Sequence, residues 1–248
     1  MNRYEDTHLP YTITGEFNRL AFDLVHAPEN RELYTTACDK LTAKDYVSQQ
    51  VGQEYVADLF GVSCCYDILH GFVESENYMI KHSLNSGRNS AVLNGEIQRP
   101  WDLEFDEGEC WYFWEDRKPG VFFAEELLGK EMHTYKFFFY KGEILSVYYY
   151  YENTGDDSIS IRTMVSYPDL QPTGWIDRYK IKGEFRHSKN WDEIVWLAKK
   201  LAVPFPIVRM DIFDTENGVF FSEFTATFRA FTMSEESDKA LMDLINRR

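Results

Sequence analysis

The sequence is poor in cysteine and histidine, which argues against a disulfide-bonded fold and against a dedicated metal centre. Its four cysteines among 248 residues are Cys38, Cys64, Cys65 and Cys110. Cys64 and Cys65 are adjacent and cannot easily pair with each other, and the four show no metal-ligand spacing. The six histidines are scattered along the chain. This usage predicts reduced thiols, so we expect a cytoplasmic protein.

Long apolar runs and an excess of basic residues are also missing. No apolar stretch approaches the length of a membrane span, and the polar residues 1–10 do not resemble a signal peptide. The chain has 26 Lys and Arg against 41 Asp and Glu, which gives a formal net charge of −15. An acidic surface repels nucleic acid and anionic lipid at long range, so we expect no nucleic acid as a partner and no membrane span. Such a surface still permits a local basic pocket for phosphates.

Residues that form a core are abundant. Hydrophobic residues make up 44% and aromatic residues 17% of the chain, and the length fits one large domain or two small ones that share a cleft. Periodicity predicts helices over residues 4–40, 42–47, 191–201 and 234–245, with Thr42 and Ser234 as N-caps. Strands are predicted over residues 76–81, 90–93, 120–128, 133–140 and 143–151, and residues 155–189 are predicted to be irregular. Because helices and antiparallel strands occur in separate blocks, we predict an α+β fold.

The most informative stretch is a predicted hairpin over residues 206–225, whose polar turn contains Asn217-Gly218. Side chains alternate along a strand, so Arg209 and Asp211 share one face of the first strand, and Glu223 and Thr225 share one face of the second. Two carboxylates on adjacent strands beside an arginine can hold a hard divalent cation and a polyphosphate together. The alternative is that these residues form the solvated face of an ordinary antiparallel hairpin.

Two earlier segments fit the same nucleotide pattern. Lys81 ends a strand and precedes a small polar loop, residues 82–89, which can fold over phosphates and offer backbone N–H groups. The run 125–131 follows an apolar strand. An extended linker of this kind can offer backbone donors and acceptors to an adenine edge, with a carboxylate for the ribose hydroxyls.

The order of these motifs resembles the ATP-grasp superfamily, and within it the TupA-like ATP-grasp family, which is linked to teichuronopeptide and other surface-polymer biosynthesis. Four stretches are similar to that family: 39–47 with 51–55, 79–89, 135–142 and 223–225. Together they cover roughly residues 35 to 245. The chain departs from the family pattern at Lys44, where the family has arginine, at Leu84 and Asn85 in the loop, and over the tail 226–231.

The resemblance implies a fold in which two lobes of antiparallel sheet and helices grip ATP. The expected divisions are an N-terminal helical region with the start of the grasp module (1–75), a small lobe with the phosphate loop (76–128) and a large lobe with the metal-binding hairpin (129–248). The implied activity is that of an ATP-dependent carboxylate–amine ligase that forms an acylphosphate, with ATP and Mg²⁺ as cofactors. Its partners would be small-molecule, peptide or polymer carboxylate and amine substrates. A kinase on the same scaffold and a catalytically weak nucleotide-binding scaffold subunit are the alternatives.

The resemblance also implies roles for individual residues. Catalytic roles fall to Arg209 and Lys81, and the expected metal ligands are Asp211, Glu223 and Thr225. The implied nucleotide-binding residues are Lys40, Lys81, Ser86, Gly87, Asn89, Glu125, Leu128, Glu131, Lys136 and Arg209. Lys136 and Arg162 are further candidates for binding a carboxylate or a phosphate. The alternatives are a cross-strand ion pair for Arg209, an ordinary strand-end lysine for Lys81 and a simple polar turn for the loop.

Overall fold

The structure combines helices with antiparallel strands, as the sequence predicts, but the helices Tyr66–Phe72 and Trp191–Ala202 are each inserted between two strands. The computed structural model describes residues 12–84, 89–98, 120–129, 131–153, 159–174, 181–227, 231 and 233–248. Within these residues the helices are α1 (Glu16–Val25), α2 (Arg31–Cys38), α3 (Lys40–Val51), α4 (Tyr66–Phe72), α5 (Trp191–Ala202) and α6 (Glu235–Asn246). None of them has the length and apolar character that crossing a bilayer requires.

The strands of the described residues form two antiparallel sheets of five strands each. The first sheet contains β1 (Leu59–Ser63), β2 (Tyr78–His82), β3 (Asn89–Leu93), β4 (Glu96–Ile97) and β5 (Phe122–Glu126), in the order β1-β5-β2-β3-β4. The second contains β6 (Met132–Tyr140), β7 (Glu143–Asn153), β8 (Ile159–Ser166), β9 (Ile207–Thr215) and β10 (Gly218–Thr225), in the order β10-β9-β6-β7-β8. The α+β prediction is confirmed, while the predicted domain boundaries at residues 75 and 128 stay a prediction.

The second sheet has one face in the main core and one polar face. Its inner face carries fully buried aromatic and aliphatic side chains, among them Tyr135, Phe137 and Ile212, which lie in one cluster with Ile194 and Leu197 of α5. Removing a large side chain of this kind from water contributes about 1.5–3 kcal/mol. Because strand side chains alternate, the same burial fixes which residues of β6 and β9 point to the opposite face.

Several local predictions are wrong. The predicted helix over residues 4–40 is divided into α1 and α2, which are separated by residues 26–30. Asp39, not Thr42, caps α3, because its carboxylate accepts hydrogen bonds from the N–H groups of Leu41 (2.9 Å) and Thr42 (3.2 Å). The stretch 155–189 is not irregular throughout, since β8 pairs with β7 over its length before Pro168 interrupts it. The predicted N-cap Ser234 is confirmed, as its Oγ accepts from the Ser237 N–H at 3.3 Å.

Candidate functional site

The polar face of the second sheet gathers the charged residues of β6, β9 and β10. Asp211 is the cross-strand partner of Lys136 on one side and of Glu223 on the other, so these three side chains share that face. Arg209 lies two residues before Asp211 and opposite Thr225. The five residues, which we call the hairpin cluster, include every predicted metal ligand.

Arg209 bridges the two carboxylates of the hairpin cluster. Its Nε lies 2.7 Å from Asp211 Oδ1, and one terminal nitrogen lies 2.9 Å from Asp211 Oδ2 and 3.0 Å from Glu223 Oε1. Lys136 Nζ also pairs with Asp211 Oδ2. Thr225 Oγ1 donates to Glu223 Oε1 at 3.4 Å. Both oxygens of Asp211 therefore face a cation, although its side chain is only 2% exposed.

The opposite charges of the hairpin cluster offset the cost of burying each charged group. Burial alone would raise the pKa of Asp211, but Arg209 and Lys136 outweigh it and hold that pKa below its ordinary value. Burial likewise opposes the charge on Arg209, and Asp211 and Glu223 outweigh it, so the pKa of Arg209 is raised. Arg209 and Asp211 therefore each favour the charged form of the other.

A second charged group is formed by side chains of β2 and β5 in the first sheet and of the helix α3. Glu125 is 2% exposed, and its Oε2 lies 2.7 Å from Lys44 Nζ, while its Oε1 pairs with Lys81 Nζ. Burial opposes the ionisation of Glu125, but the charges of Lys81 and Lys44 outweigh it and lower its pKa. Burial lowers the pKa of Lys44 despite the attraction of Glu125. We call these three residues the lysine–glutamate triad.

Lys81 connects the two charged groups across the sheets. Its Nζ lies 5.9 Å from the centroid of the Phe213 ring. Phe213 follows Asp211 by two residues and opposes Thr134 on β6, so it shares the polar face of the second sheet. The triad of the first sheet therefore lies against the same face that carries the hairpin cluster. An anion bound between the sheets would meet cations from both of them.

Two further predicted nucleotide residues, Lys40 and Asn89, lie next to β2, which carries Lys81. Lys40 begins α3 at the base of the predicted phosphate loop, where its N–H donates to the Ser83 carbonyl at 2.8 Å and its Nζ to the His82 carbonyl at 3.3 Å. Asn89 is the exposed cross-strand partner of Lys81. Ser86 and Gly87 lie outside the described residues.

The predicted adenine linker is attached to the turn between β9 and β10. The Leu128 carbonyl accepts a hydrogen bond from Asn217 Nδ2 at 3.2 Å. Glu131 is exposed and directly precedes β6. Glu125, which was predicted to meet the adenine, lies inside β5 with both oxygens paired to lysines. Its contact with adenine stays a prediction, and its observed partners make it first of all the counter-ion of the triad.

The residues of the hairpin cluster fit a magnesium ion that arrives with a nucleotide. In the described parts of the chain, no three His, Cys, Asp or Glu side chains converge on a common point. Asp211 and Glu223 alone provide two carboxylates. Mg²⁺ commonly takes one or two protein carboxylates and completes its shell with phosphate oxygens and water. Because Arg209 bridges both carboxylates, phosphate oxygens would have to draw the guanidinium away as the ion enters.

Sequence reasoning missed Lys44 as a functional candidate. Lys44 lies in the middle of α3, and it was noted only as a departure from the family's arginine. The available signal was its position on the inner side of that helix beside Ala43 and Val47, which are both fully buried. A lysine on such a face requires a buried acid, and Glu125 supplies it.

Comparison with known proteins supports the resemblance over the second half of the chain. Residues 124–246 match the family TupA-like ATP-grasp, which confirms the recognition made from the motifs. No curated protein matches the sequence.

Several solved structures resemble the described fold at low sequence identity. The ATP-grasp ligase PsnB in complex with a minimal precursor matches with a TM-score of 0.46 and 13% identity over 89% of this chain and 63% of that chain. D-alanine–D-alanine ligase from Bacillus anthracis matches with a TM-score of 0.42 and 15% identity, over 85% of this chain and 66% of that chain. N5-carboxyaminoimidazole synthase from Aspergillus clavatus matches with a TM-score of 0.45 and 17% identity, over 79% of this chain and 45% of that chain. The chain thus spans less than two thirds of the length of these proteins.

Proposed function

We propose, on the premise that residues 124–246 belong to the TupA-like ATP-grasp family, that this chain is an ATP-dependent carboxylate–amine ligase that releases ADP and phosphate. The observation that carries the proposal is the position of the hairpin cluster and the lysine–glutamate triad on one sheet junction. Arg209 and Lys136 contribute cations from the second sheet, and Lys81 contributes one from the first. A triphosphate held there would be neutralised from both sides.

In the proposed complex the phosphates replace carboxylates as partners of the basic residues. Lys81 and Lys44 bind the α- and β-phosphates. Glu125 positions the two lysine side chains before the nucleotide binds. Lys40, Asn89 and the loop residues Ser86 and Gly87 enclose the phosphates. Leu128 and Glu131 contact the adenine and the ribose. Arg209 and Lys136 turn from Asp211 toward the γ-phosphate, which guanidinium and ammonium groups bind through charge-assisted hydrogen bonds.

Asp211, Glu223 and Thr225 would hold Mg²⁺, which would supply positive charge to neutralise the phosphates. In the first step an oxygen of the substrate carboxylate attacks the γ-phosphorus, the bond to the β-phosphate oxygen breaks and ADP leaves. In the second step an amine attacks the acylphosphate carbonyl, loses a proton, and inorganic phosphate leaves as the amide forms. The chain contributes positioning and charge neutralisation, and Arg209 is placed to stabilise the charge on the transferred phosphoryl group.

The substrates are proposed at the level of chemical class. The carboxylate and the amine belong to small molecules, peptides or surface-polymer precursors. A cytoplasmic location is proposed because the reaction consumes ATP and because the cysteine usage is that of a reducing compartment.

Product analysis tests the reaction class directly. The protein is incubated with Mg-ATP and a panel of carboxylate and amine pairs, and nucleotide and acceptor products are separated. ADP with an amide product supports the proposal. AMP would indicate adenylate chemistry, and a phosphorylated hydroxyl would indicate a kinase. A thermal shift with Mg-ATP that Asp211→Asn abolishes, without turnover of any pair, would assign a nucleotide-binding scaffold role instead.

A further inference from the structure

The turn between β9 and β10 contacts the segment that joins the two sheets. β5 ends at Glu126 and β6 begins at Met132, so residues 127–131 form this connection. Asn217 lies in the turn, and its Nδ2 donates a hydrogen bond to the Leu128 carbonyl at 3.2 Å. A side chain of the second sheet therefore holds the backbone of the connection at the position where the adenine is proposed to bind.

Gly129 makes this part of the connection both close to the turn and easy to rotate. Its φ of +133° is a conformation that residues with a side chain rarely adopt, and a Cβ added there would lie 2.6 Å from Glu216 Oε1. The connection consequently approaches the turn more closely than another residue type would allow. Since glycine also restricts the backbone least, the peptide group between Leu128 and Gly129 depends on outside contacts for its orientation.

The turn itself does not require the side chain of Asn217. Thr215 pairs with Gly218, so the two residues between them form the turn. Asn217 does not have the positive φ for which asparagine is usually selected in two-residue hairpins. Thr215 Oγ1 holds the turn, because it accepts from the Asn217 N–H and donates to the Gly218 carbonyl, both at 3.1 Å. The side-chain amide of Asn217 thus acts on Leu128 and not on its own turn.

The hydrogen bond from Asn217 sets the direction in which Leu128 presents its carbonyl. A carbonyl oxygen accepts hydrogen bonds near its own plane and has two lone pairs. Asn217 uses one of them, and the other can accept from a base that lies beside the connection. Adenine carries an amino donor at its 6 position and would donate to this oxygen. A purine with an oxygen at the same position would instead place two acceptors against each other.

We infer that Asn217 is a positioning residue that makes the proposed nucleotide site prefer a 6-amino purine, adenine, over a 6-oxo purine. It acts through the peptide group between Leu128 and Gly129, whose orientation it fixes, and it does not contact the nucleotide. This inference rests on the proposed ligase function and adds the origin of its nucleotide selectivity. Because the proposed phosphate partners are other residues, loss of the Asn217 amide should alter recognition of the base and leave binding of the phosphates unchanged.

Two nucleotides that differ at this position measure the preference. Inosine diphosphate (IDP) has an oxygen where ADP has the 6-amino group, and the Kd of each is measured by calorimetry in the presence of Mg²⁺. We expect wild type to bind Mg-ADP about tenfold more tightly than Mg-IDP, the size of effect that one hydrogen bond gives. Asn217→Asp keeps the shape of the side chain and replaces the donor with an acceptor, so the ratio of the two Kd values should fall to near one. Asn217→Ala, which removes the donor without adding a charge, should lower the ratio in the same way.

The design separates failure of the inference from failure of the proposed function. Asn217 is exposed, so its substitution leaves folding intact, and Asn246→Asp at the exposed end of α6 is the control that should leave both affinities unchanged. A ratio that stays at its wild-type value in either Asn217 variant, even if both nucleotides bind more weakly, would show a merely structural role and overturn the inference. Equal affinity of wild type for Mg-ADP and Mg-IDP would also overturn it and leave the proposed function standing. Absence of Mg-ADP binding by wild type would overturn the proposed function and the inference with it.

Discussion

Glu223 lies directly opposite Asp211 across the last two strands, although regular pairing from the turn would place Ser222 there. Thr215 pairs with Gly218, and the register runs regularly to the pair of Ile212 with Phe221. Ser222 is then an extra residue, so that Glu223 becomes the partner of Asp211. A β-bulge of this kind re-aims the side chains that follow it. The pairing of the two carboxylates thus depends on the extra residue Ser222.

Two single-residue deletions distinguish the effect of the bulge from the effect of the Glu223 carboxylate. Deleting Ser222 restores regular pairing and keeps Glu223 opposite Asp211, so we expect the Mg-ATP-dependent rise in melting temperature to persist. Deleting Glu223 also restores regular pairing but places Ser222 opposite Asp211, so we expect that rise to disappear. Both deletions keep Phe224 on the core face, and differential scanning fluorimetry compares them at equal chain length. Loss of the rise in both variants would show that the bulge itself, rather than the carboxylate, is required.

Asp211 is predicted to be the most sensitive residue of the hairpin cluster. Asp211→Asn removes the buried carboxylate that Arg209 and Lys136 share and leaves Arg209 with Glu223 alone. Removal of one partner from a buried ion pair typically costs about 3–5 kcal/mol. We expect a loss of that order in the free energy of unfolding, measured by urea denaturation. Asp243→Asn, which breaks the exposed Lys239–Asp243 pair on α6, is the control and should leave the urea midpoint unchanged.

Substitution of different members of the lysine–glutamate triad should lower the free energy of unfolding by different amounts. Glu125→Gln leaves Lys44 and Lys81 facing each other without their shared acid, so we expect it to lower the free energy of unfolding by about 3–5 kcal/mol. Lys44→Met removes a lysine whose pKa burial already lowers and leaves Glu125 paired with Lys81, so its cost should be clearly smaller. Urea denaturation of both variants checks the order. A larger loss for Lys44→Met would mean that Lys81 does not neutralise Glu125.

Acid should destabilise the protein because it protonates the two buried carboxylates, Asp211 and Glu125. In the folded state, the charges of Arg209 and Lys136 outweigh burial and lower the pKa of Asp211. The charges of Lys81 and Lys44 do the same for the pKa of Glu125. The stabilisation is therefore complete above the ordinary carboxyl pKa of about 4 and is lost as pH falls from there through the folded-state values. Urea midpoints at about pH 7, 5, 4 and 3 should be flat and then fall. Asp211→Asn should flatten that fall, and an unchanged slope would contradict the assignment.

The elements that local patterning controls could be predicted from the sequence. Asn217-Gly218 between two alternating runs specifies the hairpin, and alternation alone places Arg209 with Asp211 on one face. The aromatic strands β6 and β7 and the amphipathic helix α5 follow equally from periodicity. The family resemblance rests on short motifs, and its confirmed part, residues 124–246, contains this hairpin and both aromatic strands.

Features that depend on tertiary contacts could not be predicted in this way. The bulge at Ser222 leaves no residue signature of its own, because serine is also common on regular strand faces. Lys44 has a role only because Glu125, far away in sequence, reaches it through the packing of α3 on the first sheet. The antiparallel bridge between Arg162 and Lys182 likewise lies in a stretch, residues 155–189, that the sequence predicts to be irregular.

Calorimetric titration of ATP with and without Mg²⁺ tests the central claim most directly. Because Arg209 bridges Asp211 and Glu223, we expect Mg²⁺ alone to give no measurable heat, Mg-ATP to bind one molecule per chain, and ATP with EDTA to bind far more weakly. Asp211→Asn should reduce the affinity for Mg-ATP to that of ATP alone. Equal affinity for ATP in the presence of Mg²⁺ and of EDTA, or no binding of Mg-ATP, would contradict the account.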